Sequence, residues 1–168
     1  MNLASTRGHR GFTLIELLVV IAIIGILSAV VLASLNSART KGVDAAVKSN
    51  LATIQTQAEL YYDDNSNSYG TTAVTLGACP LAGSGNLFAN ATIRSAIQNA
   101  TSTLGGNTIF CQVLTAPSAY MVYAQLKDTS NGTRYYCVDS LGRATTTGTV
   151  PTAITASGGA ITGGGCPN

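Results

Sequence analysis

The sequence predicts an α+β chain: one long N-terminal helix packed on a small antiparallel sheet. Three observations carry this. An uncharged apolar run passes without a proline into a segment whose apolar residues recur every three or four positions. Short alternating segments separated by turn formers follow. Four cysteines, all downstream of the apolar run, suggest staples for a domain whose polar composition supports only a modest core.

The helix comes first. Between Leu17 and Ala38 there is no charged residue, and about 20 apolar residues suffice to span the hydrocarbon core of a bilayer. No later segment is apolar enough to wrap this one, so a membrane span is a better reading than a buried core helix. Beyond Leu35, Val43, Val47, Leu51, Ile54, Ala58 and Tyr61 form one apolar face. Lys41, Asp44, Lys48, Thr53, Gln57 and Glu59 fall between them. One helix from Phe12 to Asp64 is expected, about 75 Å long at 1.5 Å per residue, weakened locally at Gly25 and Gly42. The turn formers Asp63 to Ser68 end it.

A variable region follows. Asn86 is placed as the cap of a second helix over Leu87 to Ala100. Strands are expected over Ile109 to Leu114 and Ala119 to Lys127, with Asp128 to Gly132 as a hairpin turn. Thr133 to Asp139 is the partner strand, and Ser140 to Gly142 turns toward Arg143 to Thr147. The Thr-, Gly- and Ala-rich tail from Thr147 reads as irregular, and a disulfide at Cys166 would tie it down.

Charge narrows the function classes. Only 10% of the residues are charged and the formal net charge is +2. Arg7 and Arg10 account for that excess; without residues 1–11 acids and bases balance. This argues against a broad nucleic-acid footprint and leaves room for a local basic patch. No C-x-x-C pair occurs and His9 is the only histidine, so zinc is a poor reading and no cofactor is expected. Asp63, Asn65 and Asn67 have the spacing of the first calcium-loop ligands. Ser68 and Val74 stand where that loop needs glycine and glutamate, so a helix end is preferred. With no histidine beyond His9 there is no Ser/His or Cys/His pair, and adjacent Asp63 and Asp64 imply no pocket; an enzyme is not expected. Tyr120, Tyr123, Tyr135 and Tyr136 could make a ligand platform, but at strand spacing they more often pack a sheet. Asn90, Asn99 and Asn131 match the glycosylation acceptor pattern, which an Asn/Thr-rich chain produces by chance. Gly158, Gly159 and Gly163 to Gly165 lie in a low-complexity tail, not a phosphate loop. Four cysteines allow three pairings.

The string Arg10-Gly11-Phe12-Thr13-Leu14-Ile15-Glu16-Leu17-Leu18-Val19-Val20 closely resembles the class III signal of type IV pilins and type II secretion pseudopilins. The resemblance runs over about Gly8 to Tyr62 and is only architectural downstream, a pilin-like fold. It implies a membrane-embedded prepilin peptidase cutting between Gly11 and Phe12, with N-methylation of Phe12. A small residue at Gly11 lets the protease approach the backbone. Cutting before the apolar run keeps the helix on the mature chain, unlike ordinary secretory signals. Glu16, the sole charge between Gly11 and Arg39, costs about 2.5–3.5 kcal/mol at the centre of a membrane and less near an end. It could snorkel to water. The resemblance implies instead that it pairs with the Phe12 amine of a neighbouring subunit, favouring one axial register. Cys79 with Cys111 and Cys137 with Cys166 is the favoured pairing, the second resembling the C-terminal disulfide loop of many pilins; each closes a loop worth about 3–4 kcal/mol by chain entropy.

The expected organisation is a leader over 1–11, a transmembrane and filament-core segment over 12–35, and a globular domain over 36–168. The expected partners are other copies or related subunits in a homopolymer or mixed filament, the peptidase, an inner-membrane assembly machinery and the membrane. No specific nucleic acid is expected. The basic residues flanking both ends of the span, Arg7 and Arg10 against Arg39, Lys41 and Lys48, leave charge a weak guide to orientation. The cysteines and cleavage motif place the N-terminus in the cytoplasm and the globular part outside. A pilin is the first reading, favoured by two disulfides and no convincing calcium loop. A pseudopilin is the second. A non-polymerising, single-span anchored binding domain is the reading from another class.

Overall fold

The computed structural model describes residues 11–80, 85–106, 108–116, 118–157 and 160–167. The leader residues Arg7, His9 and Arg10 lie outside them, as do Gly158 and Gly159. The chain forms two compact units divided between Ala38 and Arg39. One helix, α1 (Leu14–Asp64, 51 residues), begins in the first and ends in the second.

In the first unit α1 carries Glu16 as its one charge and is otherwise mostly apolar, and its side chains from Leu14 to Leu35 are exposed. The second unit is α+β. Its part of α1 buries Asp44, Val47, Leu51, Ile54 and Ala58, with Val43, Tyr61 and Tyr62 packed at the margin. Each large apolar side chain removed from water there contributes about 1.5–3 kcal/mol. At the C-terminus of α1, Ser66 and Asn67 take left-handed backbone conformations. The Asn67 amide donates to the Tyr62 carbonyl and the Asn65 side-chain amide to the Tyr61 carbonyl. The segment weighed as a calcium loop therefore ends the helix.

Five strands follow in a sheet ordered as they occur in the chain: β1 (Val74–Ala78), β2 (Ile109–Thr115), β3 (Ser118–Gln125), β4 (Tyr135–Asp139) and β5 (Ala144–Thr147), all antiparallel. β1 falls in the region read only as variable; a Val-Thr-Leu-Gly-Ala run carries too little alternation to announce a strand. Between β1 and β2 the expected second helix is split. A 3-10 turn, Leu87–Ala89, is capped by Asn86, and α2 (Ala91–Thr103) starts at its own cap, Asn90. The Asn90 side chain accepts from the amides of Thr92 and Ile93 while its backbone is extended, which breaks the helix there.

The sheet is covered on both faces. Tyr120, Val122 and Ala124 of β3 pack in one cluster with α1 and α2; Ala119, Met121 and Tyr123 pack in the other with Ile154 and Cys166. That second cover corrects the reading of the tail. It is no irregular segment but a hairpin of β6 (Thr152–Ser157) and β7 (Ala160–Gly165). Side-chain bonds from the sheet hold it: Gln112 donates to the Ile154 carbonyl at 3.1 Å and accepts from the Ile154 amide at 2.6 Å. Asp139, only 1% exposed, accepts from the Arg143 guanidinium at 2.7 Å and from the Cys166 amide at 3.1 Å. The glycines there answer to space. Gly164 has φ +75°, and a Cβ on it would collide with the Ala153 backbone. Disulfides join Cys79 to Cys111 and Cys137 to Cys166.

Candidate functional site

The candidate site is the start of α1. Gly11 to Thr13 are non-helical and the helix begins at Leu14. A Cβ on Gly11 would meet nothing within 4 Å, and its φ lies outside the left-handed range. Among the described residues nothing packs against this position. Phe12 is 91% exposed.

Thr13 and Glu16 hold one another. The Thr13 amide donates to Glu16 Oε2 at 2.9 Å and the Thr13 hydroxyl donates to the same oxygen at 2.7 Å. The Glu16 amide donates to Thr13 Oγ1 at 3.3 Å. This is a capping box: residue and cap exchange bonds across the first turn and satisfy donors that the helix leaves open. The negative side chain also sits at the positive end of the helix macrodipole. The carboxylate is thus fixed within one turn of Phe12. Thr13 was not singled out by sequence reasoning, although Thr-x-x-Glu ahead of an apolar run is the signature that could have found it.

The other sequence-predicted residues sit elsewhere. The four cysteines lie in the second unit and staple its sheet. Tyr120 and Tyr123 are buried on opposite faces of the sheet; Tyr123 stacks on Phe110, and Tyr69 meets Tyr120 edge-on. Four tyrosines so divided make no common platform. Asp44, which falls between the apolar positions of the helix pattern, is only 6% exposed. Its carboxylate accepts from the amides of Lys127 at 2.7 Å and Asp128 at 3.0 Å, pinning the β3–β4 loop to α1. The Asp128 carboxyl is held below the usual range by the Ser130 hydroxyl and amide, helped by Lys41 and Arg134. Among the described residues no group of three or more His, Cys, Asp or Glu side chains is placed to hold a metal ion.

Comparison with known proteins fits this site. Residues 6–32 match the family model of the prokaryotic N-terminal methylation motif. The chain is 46% identical over 70 residues to the type IV wide pilus major component PilA4 of Thermus thermophilus, covering 42% of this chain and 53% of that one. It is 39% identical over 72 residues to the type II secretion system core protein G of Dickeya chrysanthemi, covering 43% of this chain and 46% of the relative. The chain thus spans about half the length of these curated relatives. No solved structure matches it. The chain carries the methylation motif of prepilins and resembles both type IV pilins and type II secretion pseudopilins.

Proposed function

We propose that this chain is a structural, non-catalytic subunit of a type IV pilus-like filament, made as a membrane-inserted precursor. A prepilin peptidase cuts the Gly11–Phe12 bond and the new Phe12 amine is methylated. The segment 12–35 first spans the cytoplasmic membrane, with the N-terminus in the cytoplasm and the domain from residue 36 outside. An inner-membrane machinery then draws subunits into an extracytoplasmic filament whose core is built from these segments, serving adhesion, motility or DNA uptake.

The observation that carries this reading is the start of α1: a glycine with open space at its Cβ position among the described residues, an exposed Phe12 and a carboxylate pinned one turn away by Thr13. A charge at membrane depth is costly unless something meets it. The capping box meets part of that need inside the subunit; the amine of a neighbour's Phe12 meets the rest in the filament. A slipped register would leave both charges unmatched. Exposed apolar side chains from Leu14 to Leu35 supply packing surface once subunits leave the lipid.

The second reading, a type II secretion pseudopilin, is favoured by the 39% identity over 72 residues to core protein G. Intact-mass and N-terminal peptide mass spectrometry on protein from native membranes tests the processing both readings share. A chain beginning at N-methylated Phe12 is the expected result. A chain that retains residues 1–11, or is cut beyond Leu35, would remove the basis for a filament and favour an anchored or secreted domain. Electron microscopy of the cell surface then separates a long pilus from a short pseudopilus.

A further inference from the structure

Apart from the buried Asp44, which is taken up by the Lys127 and Asp128 amides, the second unit keeps basic and acidic side chains apart along one strip of α1. Lys41 and Lys48 lie toward the start of its helical portion, Glu59 and Asp63 toward the end. At about 100° per residue, all four fall within roughly 60° of arc, one strip along the helix. The strip runs beside the buried face of Val47, Leu51, Ile54 and Ala58. Arg134 stands with the basic end, since it and Lys41 both act on the Asp128 carboxylate, the one acidic side chain that faces this end from the β3–β4 loop. Lys48 Nζ sits 5.6 Å from the centre of the Tyr136 ring.

Within the subunit the two ends do not meet. Lys48 and Asp63 are about 22 Å apart along the axis. Among the described residues the one ion pair is Asp139 with Arg143. Glu59 accepts from the Tyr69 hydroxyl at 3.0 Å, while the rest of the acidic end is unfavourable where it stands. Asp63 and Asp64 occupy the last turn of α1, beside the negative pole of the helix, and no basic residue shares that turn. Next to it, a groove lined by Gln55, Thr56, Glu59, Leu60, Ser140 and Gly142 presents Leu60, a large apolar side chain left 52% exposed. A cation arriving with apolar contact would relieve both features.

We propose that this strip is a head-to-tail contact between copies of the chain, with Lys41 and Lys48 of one copy facing Glu59 and Asp63 of the next. The inference rests on the filament reading and deepens it. With the helices parallel, the basic end of one copy on the acidic end of the next is a heterologous contact, and it propagates into a fibre where the rotation between copies does not close a ring. The contact holds neighbours at an axial offset of about 20–30 Å, the separation of the two charge groups on one helix. It acts from the second unit as a register check separate from Glu16.

The test is a charge swap in the full chain, expressed in its native host in place of the wild type. Filaments sheared from cells are quantified, and the amount of processed, disulfide-bonded subunit in the membrane serves as the folding control. Lys48→Glu and Asp63→Lys should each lower filament yield about tenfold, the equivalent of about 1.4 kcal/mol per contact. The double variant should recover most of it. Lys48 also covers Tyr136, so Lys41→Glu provides a second basic-end variant free of that contact, to be paired with Asp63→Lys in the same way. Double variants no better than the weaker single would overturn the inference. So would losses confined to the lysine variants, which would point to anionic lipid headgroups as the occupant of the basic end. Wild-type filaments unaffected by any variant would overturn the inference alone; a wild type without filaments would overturn the filament reading as well.

Discussion

Replacing Asp44 by alanine should destabilise the second unit far more than its place in the sequence pattern suggests. The side chain is 6% exposed and accepts two backbone amides, Lys127 at 2.7 Å and Asp128 at 3.0 Å. A hydrogen bond to a charged group contributes about 1.5–3 kcal/mol. Water reaching the freed amides at the loop offsets part of that, so Asp44→Ala is expected to cost about 2–4 kcal/mol. Asp44→Asn keeps one acceptor oxygen and should cost about half as much. For a unit of this size each kcal/mol lowers the midpoint by about 3–5 °C, giving a drop of roughly 6–20 °C for the alanine variant. All seven tyrosines lie in the second unit, so near-ultraviolet tyrosine dichroism of the full chain in detergent reads that unit alone. Amide exchange supplies the local check: protection at Lys127 and Asp128 should fall before the rest of the sheet opens. An alanine variant melting within about 3 °C of wild type, or unchanged exchange at those two amides, would refute the argument that this carboxylate anchors the loop.

Three further outcomes follow from the geometry. Glu16→Ala should leave cleavage at Gly11 intact and abolish sheared filaments, read by mass spectrometry and immunoblot on the same cells; filaments at wild-type yield would show that the charge pairing is dispensable. Cys166→Ser opens a loop spanning 29 residues and should cost about 3–4 kcal/mol, with proteolysis appearing first in the β6–β7 hairpin; a hairpin that stays resistant would mean that Gln112 and Asp139 suffice. Burial, with the Glu59 carboxylate next, pushes the Tyr69 hydroxyl well above the ordinary tyrosine range, and burial does the same to Tyr120. The folded chain then keeps protons that the unfolded chain releases near pH 10, so stability is fully present below about pH 10 and falls as pH rises beyond it. Tyr69→Phe should flatten that decline, measured as the alkaline unfolding midpoint followed by tyrosinate absorbance.

Much of the fold is legible from local rules because those rules apply where neighbours matter least. The long helix follows from an uninterrupted run without proline, and its inner face from three-and-four spacing. That spacing names Val47, Leu51, Ile54 and Ala58, all buried. The strand from Ile109 is framed by turn formers. The misses share one cause. Asp44 carries a polar label, yet its burial depends on amides more than 80 positions away. The break at Asn90 depends on a side chain turning back on two amides inside a segment that otherwise reads as one helix. The tail shows little apolar alternation, because its hairpin packs only Ile154 and Ile161 against the sheet and is held besides by Gln112, Asp139 and a disulfide.

By itself, then, the sequence determined the parts whose physics is local: an apolar run, an N-terminal methylation motif, an amphipathic continuation and several turns. The Thr13–Glu16 capping box is just as local, joining residues three apart, yet it was recognised only from the geometry. The tertiary structure alone decided which of three disulfide pairings holds, which face of the sheet the tail covers, and that Asp44 and Asp139 are anchors instead of surface charges. Each is a long-range closure, and the partners that close it are distant in the chain. Residue type and spacing count what is available for such contacts; only the folded backbone brings the two sides within bonding distance.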